Sequence, residues 1–383
     1  MNTADKIRVA VLYGGRSGEH EVSLMSATNV IQHLDRSRFE VVPIGIDKQG
    51  GWFLGDDILK KELSSPALLR LQQESERLLF NPDLIGKALQ PVPANHLINS
   101  AGRIFDVVFP VIHGSLCEDG TVQGLLELAE VPYVGCGVLS SALGMDKDVS
   151  KRLIKSAGIQ VPPYLVIKSG QWEKNPQQFC ELVSENLRYP VFVKPANTGS
   201  SVGVEKIKEP AHLAAAIHAA FRYDTKVVVE QGIDAIEIEV AVLEPLETGH
   251  APIVSVPGEV RPTNAHEFYS YASKYLDEHG AELIIPAPIS AELTEKIVQC
   301  AKSIFLALEC EGMARVDLFL ERGTNEIYFN EINSLPGFTK ISMYPKLMAA
   351  SGITYSELLT QLVMLAMNRH AKKAKLSREF LST

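Results

Sequence analysis

Ile7 to Tyr13 reads IRVAVLY, a short apolar run rich in β-branched residues. That pattern predicts a buried parallel strand, and Gly14-Gly15 ends it. From Glu21 the segment EVSLMSATNVIQHLD carries apolar residues at helical spacing, with Ser17 as an early cap. Phe39 to Ile46 predicts a second strand and completes a βαβ unit. Asp56 to Gln90 is more polar and reads as a helical insertion. Phe105 to Ile112 predicts another strand, and Thr121 to Glu130 a helix after it. Strands alternating with helices point to an open α/β sheet.

The pattern changes near Gly135. Met145 to Gly158 predicts a helix with a glycine stop. Val191 to Lys194 predicts a strand, followed by a glycine- and serine-rich turn. Val204 to Ile207 can pair back as a hairpin partner. An alanine-rich helix over Ala211 to Phe221 and a strand over Lys226 to Glu230 complete an α+β unit. The last unit has predicted strands at Glu237 to Leu243, Arg315 to Leu320 and Glu326 to Phe329. Its long helices fall at Ala291 to Ala307 and Tyr355 to Arg369. Val260 to Ile285 reads as a long loop with Tyr269, Tyr271 and Tyr275, and a loop of that length inside a domain suggests a functional lid. The expected domains are 1–135, 136–234 and 235–383, with the lid at 260–285.

Composition narrows the class. The chain has 383 residues, 46% hydrophobic and 22% charged, enough for a sizeable core. Net charge is −9, a poor match for a phosphate backbone, so nucleic acid is not expected as a partner. Five cysteines without CxxC spacing argue against a disulfide framework and a zinc site. No apolar run is long enough to span a membrane, and MNTADKIRVAVLY lacks a signal-peptide pattern, so a reducing cytoplasm is the expected setting.

Four segments can carry chemistry. GGRSGEHEVS, Gly14 to Ser23, places a glycine pair between strand and helix, where backbone can approach an anion, and Glu19 there could hold an amine. It is not GxGxxG, and Asp47 is a weak substitute for the acid of a dinucleotide site. HGSLCEDG, His113 to Gly120, lies at the carboxyl end of a predicted strand, where ligands gather in open sheets. KPANTGSSVGV, Lys194 to Val204, offers flexible backbone N–H groups and hydroxyls that suit phosphates, without the ending of a Walker A loop. Finally, Asp317, Glu331 and Asn333 supply hard oxygen ligands on or beside two strands, with Arg315 two residues from Asp317. Oxygen-only ligation suits Mg²⁺ bridging phosphates.

As an ordered set, GGRSGEHEVS, HGSLCEDG, MDK, KPANTGSSVGV, VVVEQGIDAIEIE, FYSYASKY, ARVD and NEINSLPGFT resemble the ATP-grasp superfamily. Within it they resemble the D-alanine–D-alanine ligases, from Arg8 to about Arg369. The resemblance implies an N-terminal open parallel-sheet domain, and central and C-terminal domains that sandwich ATP. It implies Lys147 and Lys194 as phosphate-contacting lysines, and Gly199 to Gly203, with Ser201, Val202 and Gly203, as a loop over the phosphates. Glu230 would meet the adenine amino group and Glu237 the ribose. Asp317, Glu331 and Asn333 would hold two Mg²⁺ ions, for which Mn²⁺ can substitute. Arg315 and the Gly337 N–H would stabilise the tetrahedral centre. Glu19, with Ser200 and Tyr275, would bind the first D-alanine near His113. Lys274 belongs to the lid, and Ser342 and Met343 to the site of the second D-alanine. The implied reaction forms D-alanyl-D-alanine through an acyl phosphate, for peptidoglycan precursor synthesis, in a homodimer. K⁺ activates some relatives. Gln231 stands where many relatives carry Lys. Alternatives are a same-fold ligase using D-lactate or D-serine, against which Lys274 and Tyr275 speak, and a non-catalytic ATP-binding regulatory module.

Overall fold

The computed structural model describes residues 6–55, 76–80, 89–92, 104–263 and 281–377. The tyrosines of the expected lid, with Lys274, lie outside them.

The first sheet contains β1 (Ile7–Gly14), β2 (Phe39–Ile46), β3 (Trp52–Leu54), β4 (Glu76–Phe80), β5 (Leu89–Val92) and β6 (Val107–Pro110), in the order β5-β4-β3-β2-β1-β6. β1 runs parallel to both β2 and β6. β2, β3, β4 and β5 pair antiparallel. The sheet is therefore mixed, whereas the sequence pattern predicts a parallel one. Its antiparallel edge comes from the predicted helical insertion. The described parts of Asp56 to Gln90 are the strand β4 and the start of β5, and the rest lies outside the described residues. The helix His20–His33 follows the Gly14-Gly15 turn, with Glu19 rather than Ser17 at its N-cap position. The Ser17 hydroxyl instead accepts the Glu19 N–H at 3.2 Å.

The second sheet is antiparallel throughout. It contains β7 (Tyr164–Lys168), β8 (Val191–Pro195), β9 (Glu205–Ile207) and β10 (Lys226–Gln231), ordered β7-β10-β8-β9. The β8–β9 hairpin matches expectation. β7 and the helices Ser169–Trp172 and Pro176–Asn186 add to it.

The third sheet contains β11 (Ala235–Leu243), β12 (Ile253–Val254), β13 (Gly258–Pro262), β14 (Ala281–Ile284), β15 (Met313–Glu321) and β16 (Ile327–Asn333). Their order is β14-β13-β11-β15-β16, with β12 beside β11. The ends of the expected loop 260–285 are thus strands, β13 and β14, paired antiparallel, and 264–280 lie outside the described residues. The helix Ala291–Ala307 has the predicted bounds because Ser290 caps it, its hydroxyl accepting the Leu293 N–H at 3.2 Å. A further helix, Met343–Ala350, precedes the last one, Tyr355–Lys373.

One core joins the first and third sheets. It unites Val9, Val11 and Tyr13 of β1 with Ala241 and Leu243 of β11 and with the helices 343–350 and 355–373. The second sheet has a core of its own, built on Ile167, Val191, Val193, Ile217, Val227 and Val229.

Candidate active site

A cleft of about 600 Å³ separates the second and third sheets. Lys147, Lys194, Thr198, Ser201, Glu230, Glu237 and Glu331 line it, with Phe192, Gln231 and Phe319. Local rules place the cations. Asp146 caps the helix Lys147–Ser156, its carboxylate accepting the N–H groups of Asp148 and Val149, so Lys147 is the first helical residue. The Lys147 ammonium donates to the Thr198 carbonyl at 2.6 Å and lies 3.6 Å from Glu331. Lys194, at the end of β8, donates to Glu230 at 2.7 Å. Glu230 is buried, which pushes its carboxyl up, but Lys151 and Lys194 outweigh burial and hold it below the usual carboxylate range.

The turn after β8 is built for close approach. Ser200 and Ser201 adopt φ of +50° and +58°, and Gly203 +71°. Such a run directs successive N–H groups to one side, as in anion-binding nests. Asp224 anchors the turn, accepting from Asn197 N–H at 2.7 Å and its amide at 2.9 Å. Gly199 brings this turn against the first unit: a Cβ there would be in ordinary contact with Glu19 and Glu118, at 3.5 and 3.7 Å.

Strand register makes the acidic centre. Glu239 of β11, Asp317 of β15 and Glu331 of β16 are direct partners across three neighbouring strands. Like charges opposed across strands are unfavourable unless a cation is near. Arg315 meets that need in part: it donates to both Asp317 oxygens at 2.7 Å and lies 3.0 Å from Glu239. Burial works against the Arg315 charge, yet Asp317, Glu239 and Glu331 hold its pKa well above the ordinary value. Asn333 donates to Asp317 at 3.1 Å. Asp317, Glu331 and Asn333 lie near one another on β15 and β16, and side chains of these kinds carry the oxygen donors that suit Mg²⁺. Among the described residues no group of three or more His, Cys, Asp or Glu converges as a metal site. The set holds two carboxylates and an amide.

Glu19, His113 and Glu118 form a buried cluster on the first unit. His113 lies 3.4 Å from Glu118 and 3.2 Å from the Ser26 hydroxyl. Burial would lower the His113 pKa, but the hydrogen bond and charge of Glu118, and the charge of Glu19, raise it. The segment 334–342 closes the far side. Gly337 is required there, since a Cβ would lie 2.8 Å from the Ser342 hydroxyl. That hydroxyl accepts the Thr339 N–H at 2.9 Å. Phe338 is pinned by Ser26, Asn29 and Tyr355 through its N–H and carbonyl. Met343 is buried in the shared core against Gly258.

The candidate residues therefore fall on two connected surfaces. Lys147, Lys194, Ser201, Glu230, Glu237 and Glu331 share the cleft. Glu19, His113 and Gly199 meet beside it. Lys274 and Tyr275 lie outside the described residues. Sequence reasoning passed over Lys151, Glu239, Asp224 and Asn330. Glu239 had a signal, since it is two residues beyond Glu237 on one strand face. Asp47, the weak dinucleotide candidate, only closes a turn, accepting the N–H groups of Gln49 and Gly51.

Two sheets gripping a cleft of nucleotide size, with two lysines and a glycine- and serine-rich turn lining it, define an ATP-grasp enzyme. Protein-family models for the D-ala D-ala ligase N-terminus and C-terminus match residues 8–136 and 153–364. The chain belongs to the D-alanine–D-alanine ligase family and is a ligase. It is 55% identical to D-alanine--D-alanine ligase A of Bradyrhizobium diazoefficiens, over 99% of this chain and 100% of that one. It is 45% identical to D-alanine--D-alanine ligase A of Escherichia coli, over 96% and 97%. Among solved structures, the Coxiella burnetii D-alanine-D-alanine ligase aligns with a TM-score of 0.79 at 34% identity, covering 97% of each chain. VanG D-Ala:D-Ser ligase from Enterococcus faecalis aligns at 0.78 and 37%, covering 94% of this chain and 99% of that one.

Proposed function

We propose that the chain joins two D-alanines at the expense of ATP, in the cytoplasm, supplying a peptidoglycan precursor. The observation that carries this reading is the meeting of the phosphate-type turn with the Glu19 cluster at Gly199. The Glu19 carboxylate stands beside the turn proposed to hold phosphates, which supports its reading as the amine's partner.

ATP fills the cleft between the units 136–234 and 235–383, with Glu230 at the base and Glu237 at the ribose. Lys147, Lys194 and the turn Ser201, Val202 and Gly203 hold the phosphates. Glu19, Ser200 and Tyr275 fix the first D-alanine, with His113 beside it, on the unit 1–135. Its carboxylate oxygen attacks the terminal phosphorus and ADP leaves. A free carboxylate is a poor electrophile, and the acyl phosphate removes that obstacle. The amine of the second D-alanine, held by Ser342 and Met343, attacks the acyl carbon, gives up a proton and expels phosphate. Arg315 and the Gly337 N–H stabilise the oxyanion formed on the way. Asp317, Glu331 and Asn333 would hold two Mg²⁺ ions, or Mn²⁺, which supply charge neutralisation for phosphoryl transfer. Lys274 and Tyr275 of the lid would exclude water from the intermediate. A homodimer and a response to K⁺ belong to the same reading.

The test is phosphate release from Mg·ATP with D-alanine alone, and mass spectrometry of the product. D-serine, D-lactate and L-alanine are run in parallel arms. D-alanine-dependent release with a D-alanyl-D-alanine product is expected. Preference for D-serine would move the assignment to the activity named for the Enterococcus protein, and ATP binding without release to a regulatory module.

A further inference from the structure

Lys151 is a buried charge behind the cleft that the proposed chemistry does not use. It is 0% exposed. Its ammonium lies 2.7 Å from Glu230 Oε2 and donates to the carbonyls of Asn330 at 3.0 Å and Phe329 at 3.3 Å. A bulge presents these carbonyls. Asp317 pairs with Glu331 and Leu318 with Phe329, so Asn330 stands unopposed in β16.

Glu230 therefore has one lysine at each oxygen: Lys151 at Oε2, and Lys194 at Oε1 at 2.7 Å. The two lysines differ. Lys194 lines the cleft, reaching Asn330 Oδ1 at 3.5 Å, and a triphosphate would draw it away from Glu230. Lys151 is enclosed and held at three points, so it stays. Only Lys151 gives the buried Glu230 a counterion both with and without nucleotide. An ionised carboxylate accepts hydrogen bonds and donates none, so it welcomes an exocyclic amino group and repels a carbonyl oxygen.

We propose that Lys151 is a positioning residue that keeps Glu230 a fixed acceptor toward the base, and so sets a preference for a purine with an amino group at position 6 over one with a carbonyl. The proposal rests on the reading that Glu230 meets the base. Burial pulls the Lys151 pKa down and Glu230 opposes this, as a mutually dependent pair requires.

The experiment compares ATP with inosine triphosphate in D-alanine-dependent phosphate release. It uses the full chain, Lys151→Met, Glu230→Gln and the double variant. In Lys151→Met the ATP-to-ITP ratio of kcat/KM should fall about tenfold or more, with the KM for D-alanine unchanged. Glu230→Gln should lose the ratio as well. The double variant should match Glu230→Gln, because Lys151 acts through Glu230. An unchanged ratio in Lys151→Met beside a collapsed one in Glu230→Gln would overturn the proposal and leave the base reading intact. An unchanged ratio in Glu230→Gln would overturn both. If Lys151→Met does not fold, the double variant decides, since it buries no orphan charge. ATP kcat/KM equal to that of Glu230→Gln supports the proposal, and a further loss refutes it.

Discussion

Gly114→Ala separates the substrate reading from a purely structural one. Gly114 has φ +79°, and an added Cβ would lie 2.6 Å from Glu19 Oε2. Ordinary contact begins near 3.4 Å, so the carboxylate must yield by about 0.8 Å. The left-handed backbone costs an alanine about 1–2 kcal/mol. Domain stabilities are about 5–15 kcal/mol, so the variant should fold. A shift of this size in a group that positions substrate costs about 100-fold. We expect kcat/KM for D-alanine to fall by that order while ATP affinity, measured by competition with a fluorescent nucleotide, holds. Gly158→Ala is the control. Gly158 has φ +81° with nothing within 4 Å of the new Cβ, so it should lose comparable stability and no activity. A Gly114→Ala protein with the melting temperature of the control and wild-type kcat/KM would refute the placement of Glu19 at the substrate.

Asp317→Asn keeps shape and leaves Arg315 with Glu239 at 3.0 Å, so urea unfolding should show a loss of only about 1–3 kcal/mol. Phosphate release should drop at least about 100-fold, and near-normal turnover would sink the metal assignment. Asp224→Ala removes the acceptor of two Asn197 donors and should raise the KM for ATP about tenfold, an effect absent if the turn is held elsewhere. His113 has a raised pKa in the folded chain, so its pairing with Glu118 stabilises fully below about pH 6.5 and is lost as pH rises through the higher folded value. Glu118→Gln should flatten that loss in unfolding measured from about pH 6.5 upward, and an unchanged slope would assign it to other groups.

The parts legible in the sequence were those whose cause is local. β2 has its predicted bounds because FEVVPIGI is a buried run, and helix 291–307 because Ser290 caps it. Lys194 is legible at its strand end, whereas Lys147 is marked only by the resemblance. β4 and β5 are not legible because they are only five and four residues long, too short to show a period within a more polar segment. β7 was passed over because YLVIK is mostly half-buried on an edge strand. The row Glu239, Asp317 and Glu331 depends on which strands become neighbours. Glu239 and Asp317 are far apart in the chain, and only sheet order brings them opposite. Lys151 has no local signal, since its partners Glu230, Phe329 and Asn330 come to it only through the fold.

The core shared by the first and third units has a consequence for synthesis. Val9, Val11 and Tyr13 belong to one core with Leu358, Leu359, Leu362 and Val363, about 345 residues later, which complete its cover. At roughly 5–20 residues per second, the ribosome takes about 17–70 s to deliver that cover. Early in that interval the helix His20–His33 is the first sheet's only partner in this core among the elements already made, and the rest of the core is open to water and to other chains. The second sheet, whose core is drawn from residues 167–229, can close on itself as it emerges. The nascent protein thus carries a sealed middle and an exposed beginning, and the segment most in need of a chaperone is the first one made.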